Sequence, residues 1–200
     1  LDRVADRILS AKNPVVVAGH ELATDNALNE AADFASIVGC PVYQQTVQYG
    51  AHFLSEHPAF MGALTRDQQQ VRDILSPYDL LVVLGADVLR MSVWAPVEPL
   101  PDGMPIIQIG QRDWEMGKNF PTEMAIRADI KETLQALNLV INERGGAEQT
   151  VRAKLNLDKL ANNNWSANRK RLTDELQKNM EGGVIDPSWM VMKVIDTMPD

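Results

Sequence analysis

One short segment of this 200-residue chain places side chains that could do chemistry directly behind an apolar run: His20 and Glu21 follow Gly19. A carboxylate so placed would repel a phosphate. No nucleophile–base signature emerges from the residues. His20 reads as a polar loop residue at a strand end. His52 and His57 stand five apart with Glu56 adjacent; holding a metal would take a further ligand and a fixed scaffold. Cys40, the single cysteine, lies between Gly39 and Pro41 with no base nearby. It excludes an internal disulfide and reads as a buried structural thiol. Arg169-Lys170-Arg171 is a short basic run among acids, a solvated helix face. Trp94, Trp114, Trp165 and Trp189 have no repeat spacing and read as packing or interface residues.

The elements that position these groups follow from the apolar pattern. Pro14-Val15-Val16-Val17-Ala18-Gly19 and Asp79-Leu80-Leu81-Val82-Val83-Leu84-Gly85 are short β-branched or aliphatic runs that stop at a glycine. Such runs predict strands buried on both faces, as in a parallel sheet between helices. Ligands of these sheets lie outside the carboxyl ends of the strands, where Gly19 and Gly85 sit. Residues 2–12 predict a helix. Thr24 or Asp25 is expected to cap another that runs to Val38 and stops at Gly39. Pro41-Val42-Tyr43 reads as a short strand, and residues 44–64 as a long loop. Helix returns over 66–75, and residues 86–103, with Pro96, Pro99 and Pro101, form an irregular connection. Residues 105–110 read as a strand, 123–127 as a short edge strand, and Asp129 as the cap of a helix that ends at Gly145-Gly146. The expected fold is α/β: a doubly wound, mostly parallel sheet of five or six strands with helices on both faces.

Past Gly146 the composition turns polar. Residues 147–183 predict a helical connector of two peripheral helices, with Met180 among its apolar anchors and Gly182-Gly183 as a joint. Asp186-Pro187 opens a last helix with apolar residues on more than one side. The chain begins at Leu1 without an initiator methionine and stops at Asp200, which predicts a piece of a longer protein. A net charge of -8 argues against nucleic acid or an anionic membrane surface as the main partner. No apolar stretch approaches the ~20 residues of a membrane span and no signal peptide is visible, so a cytoplasmic location is expected.

The ordered set of motifs resembles a known family. Residues 14–19, Gly39-Cys40-Pro41-Val42, His57-Pro58 with Gly62, residues 79–85, Ile107-Gln108-Ile109 and Ala128-Asp129 look like the central domain of thiamine diphosphate-dependent enzymes. The likeness covers residues 1–143, and Gly85-Ala86-Asp87-Val88-Leu89-Arg90 is most similar to benzoylformate decarboxylase-type and acetolactate synthase-type members. Residues 184–200 resemble the opening helix of the following, diphosphate-binding domain.

The resemblance implies a scaffold of a lyase or transferase acting on 2-oxo acids, a decarboxylase or carboligase. Thiamine diphosphate and Mg²⁺ would be held by an N-terminal pyrimidine-binding domain and a C-terminal diphosphate-binding domain, commonly in a homodimer or homotetramer. The activating glutamate and the Gly-Asp-Gly…Asn motif belong to those domains, and no Gly-Asp-Gly occurs here. The 200 residues alone are expected to catalyse nothing. Some members bind FAD or ADP at the strand carboxyl ends. The matching positions here are Gly19, His20, Glu21, Gly85, Ala86, Asp87, Ile109, Gly110 and Asp129. The usual glycine-rich loop after the first strand and the aspartate directly after the third are both missing, which disfavours FAD, ADP or NAD. Two other readings stand beside this one: a stand-alone nucleotide-binding module, and a catalytically dead structural subunit.

Overall fold

The computed structural model describes residues 1–47, 50–92, 94–178 and 185–198. Met180, Gly182-Gly183 and Val184 lie outside them. Six strands form one sheet: β1 (Pro14–Ala18), β2 (Val42–Gln44), β3 (Phe60–Ala63), β4 (Leu80–Leu84), β5 (Ile106–Gly110) and β6 (Met124–Arg127). Every pairing is parallel, and the order is β3-β2-β1-β4-β5-β6. The chain therefore reverses its direction of winding between β1 and β4, the place where such sheets open a crevice.

Helices cover both faces. They are α1 (Asp2–Ser10), α2 (His20–Thr24), α3 (Leu28–Val38), α4 (Gln68–Leu75), α5 (Ile130–Ala161), α6 (Trp165–Lys178) and α7 (Pro187–Asp196). All five residues of β1, β4 and β5 are buried, because alternate side chains enter two different cores. Val16, Val82 and Ile107 pack with Ile8 of α1, Phe34 of α3 and Leu134 of α5. Val15, Val17, Leu81 and Val83 pack on the other face with Val71 and Leu75 of α4. Each such side chain stabilises the fold by roughly 1.5–3 kcal/mol through removal from water. Asp79 fixes the entry to β4: its carboxylate accepts from the backbone N–H groups of Lys12 and Asn13, at 2.8 and 2.9 Å.

Three local expectations are corrected. Residues 44–64 are not all loop: Phe60–Ala63 is the edge strand β3, and Leu64 N donates to Gln44 O at 2.9 Å. Neither Thr24 nor Asp25 caps α3. Thr24 ends the one-turn helix α2, its hydroxyl bonded to Glu21 O, and α3 starts behind Ala27 after Asn26 takes φ 53°. At the glycine pair, Gly146 breaks helical geometry at φ 58° and ψ -157°, yet helix resumes at once in a new direction. Among the described residues, no helix is long and apolar enough to cross a membrane.

Candidate functional site

The loops behind β1 and β4 touch each other, and glycine is what permits it. Gly19 N donates to Leu84 O at 2.9 Å, and a Cβ on Gly19 would lie 2.2 Å from Gly85 O. Gly85 itself has φ +60°, a conformation that side chains resist, and a Cβ there would meet the Glu21 Cβ at 2.6 Å. The one-turn helix α2 begins in this contact and swings Glu21 across the end of β5. Glu21 Oε2 accepts from Gln111 N at 2.8 Å, and Arg112 Nε lies 3.6 Å from Oε1. A Cβ on Gly110 would come within 2.9 Å of that same Oε2, so the carboxylate uses the room that Gly110 leaves. Burial raises the Glu21 pKa; the Gln111 N–H and the Arg112 charge pull against it.

Beside Glu21 lies a cavity of about 270 Å³, lined by His20, Gln45, Gly85, Asp87, Arg90, Arg112 and Glu115. Arg112 bridges its walls, since its guanidinium also sits 3.3 Å from Glu115 Oε1. Arg90 is 3.4 Å from Asp87 Oδ2. Burial first, and then the neighbouring Asp87 carboxylate, push the Glu115 carboxyl up to about 7, although Arg112 opposes the shift. Near that value Glu115 can take up or release a proton, and the cavity's lining offers no nucleophile to use it on.

The expected site residues divide on inspection. Gly19, His20, Glu21, Gly85, Ala86, Asp87 and Gly110 converge on the crevice. Ile109 is buried in the sheet with its side chain turned into the α3–α5 core. Asp129 caps α5 by accepting from Glu132 N at 2.9 Å, and lines a separate shallow pocket with Gln111 and Arg127. His52 and His57 are not brought together. The His52 ring is fully buried against the His20 ring, centroids 5.7 Å apart, and burial followed by His20 lowers its pKa. His57 Nδ1 accepts from Ala59 N at 3.1 Å, so Nε2 carries the hydrogen and donates to Ser36 Oγ at 3.0 Å. In that tautomer His57 is no base for Ser36. Among the described residues, no three His, Cys, Asp or Glu side chains are arranged to hold a metal ion. Cys40 is buried, its thiol pushed up to about 12 by desolvation.

Sequence reasoning missed Gln45, Arg90, Arg112 and Glu115. Arg112 and Glu115 stand three apart around the short 3-10 turn Asp113–Glu115, an ion-pair spacing, but nothing local says which strand end they reach. The fit of a phosphate-bearing cofactor follows from this donor set. Three carboxyl groups (Glu21, Asp87, Glu115) face two guanidinium groups already engaged with them. Phosphate sites instead present free backbone N–H groups at the start of a helix. This lining sets carboxylates where a diphosphate would need donors, so it does not fit one.

Against known proteins, residues 1–137 match the family described as thiamine pyrophosphate enzyme, central domain. A benzoylformate decarboxylase of Pseudomonas aeruginosa is 29% identical over 137 residues, 68% of this chain and 26% of that protein. Among solved structures, a thiamine diphosphate-dependent 4-hydroxybenzoylformate decarboxylase of Rhodococcus jostii RHA1 superimposes with a TM-score of 0.65 at 28% identity, over 70% of this chain and 26% of that one. The benzoylformate decarboxylase of Polynucleobacter necessarius does so with a TM-score of 0.65 at 27% identity, over 70% and 26%. The chain thus spans about a quarter of the length of these relatives.

Proposed function

Since this chain belongs to the thiamine pyrophosphate enzyme central-domain family, we propose that it is the middle scaffold of a longer thiamine diphosphate-dependent decarboxylase of 2-oxo acids. The benzoylformate decarboxylases among its relatives favour a lyase over a transferase and an aromatic 2-oxo acid as substrate. In this reading residues 1–146 form the central unit, 147–183 a helical connector, and 184–200 the opening of the diphosphate-binding domain. The cofactor and its Mg²⁺ are held by the flanking domains of a cytoplasmic homodimer or homotetramer. Thiamine diphosphate supplies the carbanion-stabilising chemistry there, while this chain supplies position.

One observation carries the scaffold role. The crevice where related sheets take a ligand is lined by the chain's own carboxyl groups, with Glu21 tied to Gln111 and Arg112. This lining weighs against the stand-alone nucleotide-binding module.

The test is an assay of carbon dioxide release from benzoylformate with thiamine diphosphate and Mg²⁺ supplied. The full-length protein encoded by the gene is expected to turn over and the 200-residue chain to be inert. Turnover by the 200 residues alone, or tight ADP or FAD binding to them in a calorimetric titration, would overturn the reading.

A further inference from the structure

Two buried acceptors without a hydrogen-bond partner lie away from the crevice, in a groove of about 410 Å³ between α3 and α5. Glu30, Asp33, Ser36 and Ile37 form one wall, and Gln135, Asn138, Leu139 and Asn142 the other. Asn138 is 8% exposed, and its amide orientation is fixed because Nδ2 donates to Glu30 O at 3.0 Å. Its Oδ1 therefore stands as a buried acceptor without a hydrogen-bond partner. Glu30 repeats the pattern. Its Oε1 accepts from Gln135 Nε2 at 2.9 Å with Lys131 Nζ at 3.7 Å, while its buried Oε2 has no hydrogen-bond partner. Burial would raise the Glu30 pKa, but the Gln135 amide, the Glu30 backbone N–H and the Lys131 charge together lower it. Asp33 adds a second negative charge on the rim, and Leu139, 73% exposed, adds apolar surface beside it.

Buried acceptors left without donors are costly, and this groove is lined by two of them. The missing group must donate, carry positive charge and bring an apolar stem. A guanidinium meets all three demands. Its planar fork can serve two acceptors at once, and its stem can lie along Ile37 and Leu139. An ammonium offers only a point charge. We propose that this groove is a docking site for an arginine side chain carried by a neighbouring domain of the same longer protein. The proposal rests on the central-scaffold reading, which places other domains against this one.

Carbodiimide-driven amine labelling of carboxylates, read by peptide mass spectrometry, tests it on the 200-residue chain and on the full-length protein. Asp33 is expected to label at least about tenfold more slowly in the full-length protein, since each tenfold of protection reports a correspondingly favoured closed interface. The protection is expected to be independent of protein concentration. Two exposed substitutions, Leu139→Lys and Asp33→Lys, are expected to open the groove by repelling the guanidinium. In Leu139→Lys, Asp33 labelling should recover. In both, one arginine outside residues 1–200 should gain reactivity toward phenylglyoxal.

Equal labelling of Asp33 in the two proteins overturns the proposal. So does protection lost on dilution, which would make the occupant a second copy of the chain, or protection with no change at any arginine. Failure of the scaffold reading looks different: the full-length protein would not release carbon dioxide from any 2-oxo acid. An open groove in a protein that does so overturns the docking alone.

Discussion

The crevice at the ends of β1 and β4 and the groove between α3 and α5 hold similar groups and leave them in opposite states. In the crevice, Glu21 is met by Gln111 N–H and Arg112, Glu115 by Arg112 and Asp87, and Asp87 by Arg90. In the groove, Glu30 and Asn138 each keep a buried oxygen with no donor. The carboxyl groups of the first region are engaged within the chain, while in the second one oxygen each of Glu30 and Asn138 is not. A ligand crevice expected from topology can thus be lined by side chains already engaged with one another, while an ordinary helix–helix seam keeps unpaired acceptors. Topology says where a site can form; the state of the polar groups says whether one has.

The comparison can be broken at its tightest point. Gly19→Ala sets a Cβ against the Gly85 carbonyl, backbone against backbone, and is expected to cost about 3 kcal/mol or more, beyond the usual penalty for overpacking. Urea denaturation measures it, and a loss below ~1 kcal/mol would mean that the two loops slide apart easily.

A smaller effect sharpens the claim that the crevice is self-contained. Glu115 binds its proton more strongly folded than unfolded, so the folded state carries more protons between its ordinary value of 4.5 and about 7. Stability must then fall as pH rises through that window, because burial, and then Asp87, disfavour the ionised form. The melting temperature followed across the window should decline, and Glu115→Gln should flatten the decline. An unchanged slope in that variant would place the titrating group elsewhere.

The smallest effect belongs to the groove. In the 200-residue chain Asp33 is exposed and its charge acts on nearby His57, so Asp33→Asn should shift stability by less than about 0.5 kcal/mol, as for surface substitutions generally. A larger loss on thermal unfolding would mean that the chain satisfies its own rim.

How far these regions could be read from sequence depended on whether the signal was local. The runs of β1, β4 and β5 were legible because burial on both faces forces every residue to be apolar. β3 was not. Its Phe-Met-Gly-Ala alternates between buried and half-exposed positions, contains no β-branched residue, and carries Gly62, over which Trp165 packs. Glu21 was recognisable as a carboxylate set against phosphate, since its place behind the first strand was visible. Arg112 and Glu115 join the crevice only because the loop behind β5 folds over the loop behind β4. The groove was beyond reach for the same reason. Glu30 and Asn138 are 108 positions apart and meet only once two helices lie side by side.

The break at Gly146 bears on how this module can be inherited. Beyond it the chain turns back over the end of α3. Gln149 donates to the carbonyls of Ile37 and Val38, and Ala153 rests directly on Gly39. A recombination event that cut at the glycine pair would strip the roof from that helix end and strand its carbonyls. A truncation at the glycine pair would keep all of residues 1–137 that match the family, yet uncover the end of α3 and so cost solubility.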